Sequence, residues 1–134
     1  MGKNMKNYLL DTNILIYYFA NAIPKRELDK IENILNNSFN ISIISQIEFL
    51  GWDKHTSAGF KQAEEFLDFA NVITLTDEIA DLAIKIRRSS KIKLPDAVIA
   101  ATSLNDDLIL VTRNDNDFKN VKNVQYLEIY NPFK

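Results

Sequence analysis

The chain has no cysteine, one histidine, three glycines and three prolines among its 134 residues. The missing cysteine excludes a disulfide scaffold, a thiolate metal site and a thiol nucleophile. A lone histidine, His55, argues against a His-rich zinc centre and against a Ser–His–Asp triad. So little glycine and proline leaves no flexible or proline-rich linker to divide the chain. Long apolar runs are absent as well. The longest, Ile14–Ala20 and Ala97–Ala101, fall far short of the ~18 residues a membrane span needs. Charge of one sign is also lacking: 16 Lys and Arg against 18 Asp and Glu give a net −2. That balance offers no global attraction for nucleic acid or an anionic membrane. Any catalysis is left to carboxylates, hydroxyls, amides and amines.

What the chain does have is material for a core. Hydrophobic residues make up 46%, which excludes disorder as the main state. The length suits one domain spanning residues 1–134, with no internal repeat. Met1–Met5 is too polar to open a signal peptide, and Lys6 stands where a myristoylation pattern needs Ser or Thr. These features lead us to expect a soluble, cytoplasmic protein.

Hydrophobic periodicity predicts alternating strands and helices. Tyr8–Leu10 reads as a buried strand ending at Asp11. Thr12–Asn21 reads as a helix with Leu15, Tyr18 and Phe19 on one side. Tyr17, Tyr18 and Phe19 cannot all face one way on it, so one side meets solvent, a partner or neighbouring helices. Pro24 starts a second helix with Leu28, Ile31, Ile34 and Leu35 at helical spacing. Ile41–Ile44 reads as the second strand, and Ser45 as the start of a helix carrying Ile47, Phe49 and Leu50. A further helix is expected over Ala58–Ala70 and a third strand over Val72–Leu75. Thr76 caps a helix with Ile79, Leu82, Ala83 and Ile86 inward. Leu94-Pro95 opens the next, because proline suits a first helical position. Leu108–Val111 is continuously apolar and predicts a strand buried on both faces. Val124–Tyr126 reads as a short edge strand. This alternation implies a mainly parallel sheet of four or five strands covered on both faces, a three-layer α/β/α domain. Ligands in such folds bind beyond the carboxyl ends of the strands.

Acidic residues recur where strands end or helices begin. Asp11 follows the first strand, Glu48 lies in the helix after the second, and Asp96 opens the helix before the fourth. Asp115 and Asp117 lie just beyond the fourth strand. Each has a local explanation. Asp11 can cap its helix. Ser45-Gln46-Ile47-Glu48 fits a capping box. Asp96 complements a helix dipole, and Asp115 and Asp117 suit a turn. Gathered on one rim, however, they would repel one another and raise one another's pKa. A hard divalent cation with oxygen ligands, Mg²⁺ or Mn²⁺, relieves that repulsion.

Four segments together resemble a known family. Leu10-Asp11-Thr12-Asn13-Ile14-Leu15, Ser45–Glu48, Leu94-Pro95-Asp96-Ala97-Val98-Ile99-Ala100-Ala101 and Val111-Thr112-Arg113-Asn114…Asp117-Phe118 look like the motifs of PIN-domain nucleases. Within that family the chain is most similar to VapC-like toxins of toxin–antitoxin pairs. The resemblance runs in order along essentially the whole chain. It implies Mg²⁺- or Mn²⁺-dependent hydrolysis of RNA phosphodiesters, with Asp11, Glu48, Asp96 and Asp117 as the four acids. Asp11 and Asp96 would hold the principal ion, and Glu48 and Asp117 would complete its shell. Asp115 is an extra carboxylate able to share the fourth role. Asn13, Thr112 and Asn114 match polar positions that orient carboxylates or water. The resemblance also implies an RNA substrate, a cognate antitoxin and a homodimer.

Substrate contact requires local positive charge. Lys85–Lys93 holds Lys85, Arg87, Arg88, Lys91 and Lys93, which also suit a solvated helix end. Arg113, inside the fourth motif, is the other candidate for substrate or antitoxin contact. Helix starts at Thr12, Ser45 and Pro95 could aim amides at a phosphate. Trp52 is expected to pack or lie in an interface, and His55 carries no functional signal. Other classes fit less well. A receiver domain needs adjacent acids after the first strand, where Thr12 follows Asp11. A haloacid-dehalogenase-like phosphatase needs Asp-x-Asp, where Asn13 stands. An EF-hand from Asp115 lacks its glycine at Asn120 and its glutamate at Tyr126. A PIN-like module that binds RNA or protein without cutting remains open.

Overall fold

Five short strands form one parallel sheet in the order β3-β2-β1-β4-β5. They are β1 (Tyr8–Leu10), β2 (Asn40–Ser42), β3 (Asn71–Ile73), β4 (Ile109–Val111) and β5 (Ile129–Tyr130). The helices are α1 (Thr12–Phe19), α2 (Lys25–Asn37), α3 (Ile43–Leu50), α4 (Ser57–Leu67), α5 (Asp77–Ser89) and α6 (Leu94–Asn105). The structure is a computed structural model and describes residues 7–121 and 126–134. Among the described residues no helix is long and apolar enough to cross a membrane.

The pleat of the central strands sorts side chains into two cores. Leu9 pairs with Leu110 and Leu10 with Val111 across β1 and β4. Leu9 and Leu110 join Ile79, Ala83 and Ile86 of α5 and the buried run of α6. Leu10, Val111 and Ile41 join Ile14 and Leu15 of α1, Ile31 and Ile34 of α2, Phe49 of α3 and Ala63 of α4. The expected three layers are thus present. Every residue from Ala97 to Leu104 of α6 is buried. A helix apolar all round needs cover on every side, and the sheet and α5 supply it.

Local signals account for most boundaries. Thr76 caps α5 by accepting from Ile79 N at 3.2 Å, and Pro95 lies in the first turn of α6. Asn21 and Asp107 have φ of 57° and 54° just beyond α1 and α6. Their short polar side chains make that left-handed turn accessible. At the opposite end of the sheet the amides of Asn40 and Asn71 tie the strand starts together. Asn40 Nδ2 donates to Tyr8 O, and Asn71 Nδ2 donates to Asn40 Oδ1, each at 2.9 Å.

Several elements end two or three residues early, as α1 at Phe19, α4 at Leu67 and β3 at Ile73, and two further differences are larger. The second strand ends at Ser42, whose hydroxyl accepts from Ile44 N at 3.1 Å and so caps α3. Ile43 and Ile44 are therefore helical despite their β-branched side chains, because the cap decides where the turn begins. Ser45 lies inside α3, fully buried, and no capping box forms there. The fifth strand is Ile129–Tyr130 rather than Val124–Tyr126. Val124 and Gln125 lie outside the described residues, and Tyr126 is an exposed residue outside any strand.

The three consecutive aromatics of α1 divide among neighbours. Tyr17 meets Phe133, Tyr18 stacks on Phe66, and Phe19 meets Phe49 edge-on. His55 sits in the same aromatic cluster, against Phe49 and Trp52, with Nε2 2.8 Å from Phe49 O. The packing of Trp52 there is as expected.

Candidate active site

The sheet order places a topological switch between β1 and β4. The chain runs outward from β1 to β2 and β3, then returns to β4 on the other side. The carboxyl ends of β1 and β4 deliver Asp11 and Thr112 side by side, and Asp11 N donates to Val111 O at 2.9 Å. This is the place where an open parallel sheet binds ligands.

Asp11 is buried, only 5% exposed, and its carboxylate is fully engaged. Oδ1 accepts from Thr12 N at 2.8 Å and so caps α1. Oδ2 accepts from Thr112 Oγ1 at 2.8 Å and from Asn13 Nδ2 at 3.0 Å. The amide of Asn13 is oriented from its other side, because Arg113 N donates to Asn13 Oδ1 at 3.2 Å. Asn114 N donates to Thr112 Oγ1 at 3.0 Å. The cap and the site are one structure here: the residue that starts α1 also fastens α1 to the end of β4.

Glu48 reaches the same place from α3. Its Oε1 accepts from Thr12 Oγ1 at 2.6 Å, and Thr12 Oγ1 also lies 3.0 Å from the Ser45 hydroxyl. Ser45 and Glu48 are three residues apart, so they share a helix face. Asp96, in the first turn of α6, and Asp117, in a single 3₁₀ turn at Asp115–Asp117, complete the rim. Asp11, Thr12, Asn13, Ile16, Glu48, Asp96, Asn114 and Asp117 line one open cleft of about 320 Å³.

The electrostatics follow from burial and crowding. Burial, reinforced by Asp96 and Glu48, pushes the Asp11 carboxyl up to about 6 against the pull of its Thr112 and Thr12 hydrogen bonds. Asp96 is also raised, by burial first and then by Asp117 and Glu48, with Lys93 opposing. Both acids resist ionisation in the absence of a cation.

The donors are all oxygen, which suits hard Mg²⁺ or Mn²⁺. Among the described residues no three His, Cys, Asp or Glu side chains stand close enough to hold one ion directly. Mg²⁺ commonly keeps several waters and takes only one or two carboxylates. Four acids around an open cleft fit such an ion held partly through water.

The PIN-domain family profile matches residues 8–124, most of the chain. The chain belongs to the PIN-domain family. The PIN domain is similar to a chain of a toxin–antitoxin complex from Klebsiella pneumoniae, with 29% identity and a TM-score of 0.73 over 96% of this chain and 99% of that one. It shares its fold with a chain of DNA-bound VapBC from Salmonella typhimurium, with 22% identity and a TM-score of 0.80 over 96% and 99%. The same holds for VapBC2 from Rickettsia felis bound to a promoter DNA fragment, with 23% identity and a TM-score of 0.76 over 92% and 97%. No curated protein sequence matches the chain. The family that the four motifs resemble is the family found.

Not every candidate residue of this PIN domain reaches the cleft. Asp115 does not line it; its Oδ2 pairs with Lys134 Nζ at 2.9 Å, which holds its carboxyl below the usual range. A 3₁₀ turn points residues two apart in different directions, so Asp115 faces Lys134 while Asp117 lines the cleft. Arg87 and Arg88 border a separate apolar hollow with Leu75, Ile84 and Leu94, and Arg87 Nη1 donates to Ile92 O at 3.1 Å. Neither lines the acid cleft. The Thr12 hydroxyl, to which the sequence reading assigned no role, joins Glu48 to α1. A hydroxyl directly after the first acid was the only signal available.

Proposed function

We propose that this PIN domain is a Mg²⁺- or Mn²⁺-dependent endoribonuclease that hydrolyses RNA phosphodiester bonds, and that it is the toxin of a toxin–antitoxin pair. The observation that carries the reading is the meeting of Asp11, Glu48, Asp96 and Asp117 at one cleft from four separate parts of the chain. Family membership and the likeness to a chain of a toxin–antitoxin complex support it. A cytoplasmic homodimer belongs to the same reading.

Asp11 and Asp96 would hold the ion, with Glu48 and Asp117 acting through water. When bound, such an ion acidifies water and offsets charge that builds on the phosphate. The chain's own contribution is orientation. Thr112, Asn13 and the Thr12 amide fix both oxygens of Asp11, and Thr12 Oγ1 holds Glu48. Side chains held this way need not reorganise during reaction, which is where preorganised sites gain most of their effect. No histidine base is required.

The test is cleavage of RNA substrates with Mg²⁺, with Mn²⁺ and with chelator, comparing wild type with Asp11→Asn and Asp96→Asn. Wild type should cut only with metal, and each folded variant should lose at least about a hundredfold in rate, as when charged active-site groups are removed. Equal cutting by folded variants overturns the assignment. One observation favours a second reading, a module that binds RNA without cutting it: the absence of three directly converging acids among the described residues. That reading expects metal-independent RNA binding and no cleavage.

A further inference from the structure

Arg113 is an exposed cation with a fixed position. Its guanidinium carbon lies 4.4 Å from the Phe133 ring centre and 5.0 Å from that of Tyr17. Those two rings touch each other, with centroids 5.0 Å apart. The backbone of Arg113 is held on both sides: its N–H donates to Asn13 Oδ1 at 3.2 Å, and its carbonyl accepts from Asn131 Nδ2 at 2.8 Å. No carboxylate among the described residues pairs with it. Contact with aromatic rings occupies the faces of a guanidinium and leaves its N–H edges free for an anion.

The neighbourhood narrows the choice of anion. Asn13, which receives the Arg113 N–H, also donates to Asp11, and Thr112, the preceding residue, donates to the same carboxylate. The backbone of Arg113 thus borders the cleft through Asn13, and its side chain lies just outside the lining, over Tyr17, one turn of α1 from Asn13. A polyanion entering a cleft lined by four acids is repelled unless a neighbouring cation holds the strand. Lys93 acts on Asp96 from the α6 side, but no ring or hydrogen bond fixes its ammonium among the described residues. Arg113 combines charge, free donors and a prepaid orientation.

Building on the ribonuclease reading, we propose that Arg113 anchors a backbone phosphate of the RNA strand next to the bond that is cut. It is a substrate-binding residue, and Tyr17 and Phe133 are its positioning residues. A guanidinium binds phosphate through two parallel N–H donors, so lysine replaces it only in part.

The experiment has two arms using the full chain. In the first, steady-state cleavage of a short RNA compares wild type, Arg113→Lys, Arg113→Met and, as a remote surface control, Lys61→Ala. Arg113→Met keeps an apolar stem against the rings, and its thermal midpoint reports whether packing survives. It should raise KM about tenfold, the weight of one charge-assisted contact, with kcat changed by less than about threefold. Arg113→Lys should fall between, and Lys61→Ala should match wild type. In the second arm, fluorescence anisotropy follows fluorescein-labelled RNA binding to Asp96→Asn with and without Arg113→Met, across salt concentrations. Loss of one phosphate contact should flatten the log–log salt slope by about 0.7. A fluorescein-labelled oligoglutamate peptide is titrated in parallel.

If wild type cuts RNA and Arg113→Met keeps its KM and salt slope, the anchor is refuted while the nuclease reading stands. If wild type does not cut, yet RNA binding loses the expected slope with Arg113→Met, the anchor stands and catalysis is refuted. Lost affinity with an unchanged slope overturns the phosphate contact, and so does an Arg113 dependence confined to the peptide. Absence of RNA binding by every variant refutes both.

Discussion

Replacing Asp11 by Asn should stabilise the metal-free protein at neutral pH while abolishing activity. Burial, above all, pushes this carboxyl up to about 6 in the fold from its ordinary 3.8. A carboxyl with a raised folded pKa weakens the fold once it ionises. Below pH ~4 it is largely neutral in both states and contributes little. The penalty grows as pH rises from the unfolded to the folded value and is complete above it. Two units or so correspond to about 3 kcal/mol. Asparagine carries no charge and escapes this penalty. It brings one of its own: its amide has one acceptor, whereas the Asp11 carboxylate takes Thr12 N on one oxygen and Thr112 and Asn13 on the other. One donor thus faces a donor, at about 1–2 kcal/mol. The net expectation is a gain of about 1–2 kcal/mol near pH 7.5, and a loss of about 1 kcal/mol near pH 4, where wild type has shed its charge. For a chain of this size each kcal/mol moves the thermal midpoint by about 3–5 °C. Thermal melts of both proteins in chelator between pH 4 and 8 should cross. A variant that is less stable by a constant amount at every pH would refute the burial argument. So would a midpoint for wild type that is independent of pH.

The remaining expectations are independent of that one. Adding Mg²⁺ should raise the wild-type midpoint at pH 7.5 and raise that of Asp11→Asn much less, since binding to the folded state alone stabilises it by mass action; equal shifts would contradict a site built on Asp11. Asp117→Asn should reduce cleavage far more than Asp115→Asn, because only Asp117 lines the cleft, whereas Asp115 pairs with Lys134; rate ratios near one would undo that division. Thr12→Val should lower cleavage by releasing Glu48, with little change in RNA affinity, and Thr12→Ser should restore it. Ser42→Ala should lower stability by about 1 kcal/mol in denaturant titrations, since Ser42 rather than Ser45 caps α3; a larger loss from Ser45→Ala through helix fraying would reverse that ordering.

Much of the architecture was legible in one dimension. Strand period, helix period, the Thr76 cap and Pro95 are local signals, and they gave the alternating order that implies a parallel sheet. Asp11, Asp96 and Asp117 stood out because they lie where strands end or helices begin, with Glu48 inside the helix after the second strand, and the motif spacing pointed to the PIN-domain family. Other features depend on contacts the chain makes only when folded. Ser45-Gln46-Ile47-Glu48 satisfies a capping box locally, and nothing nearby opposes that choice. Burial of Ser45 against α1 and the 2.6 Å bond from Thr12 to Glu48 decide otherwise, across 36 positions of sequence. Asp115 and Asp117 are equivalent as letters. The folded chain separates their positions: Lys134 is seated beside Asp115, and Asp117 lines the cleft. The cluster of cations at Lys85–Lys93 looked like one patch, yet its arginines border an apolar hollow while Lys93 acts on Asp96, and Arg113 joins the cleft's edge through Asn13. Sequence by itself determined which elements form and which residues are candidates for chemistry, because propensity and periodicity act over a few positions. The tertiary structure decided which of those residues meet and which acid is buried enough to resist its charge, because both depend on distance and solvent exclusion between segments that are remote along the chain.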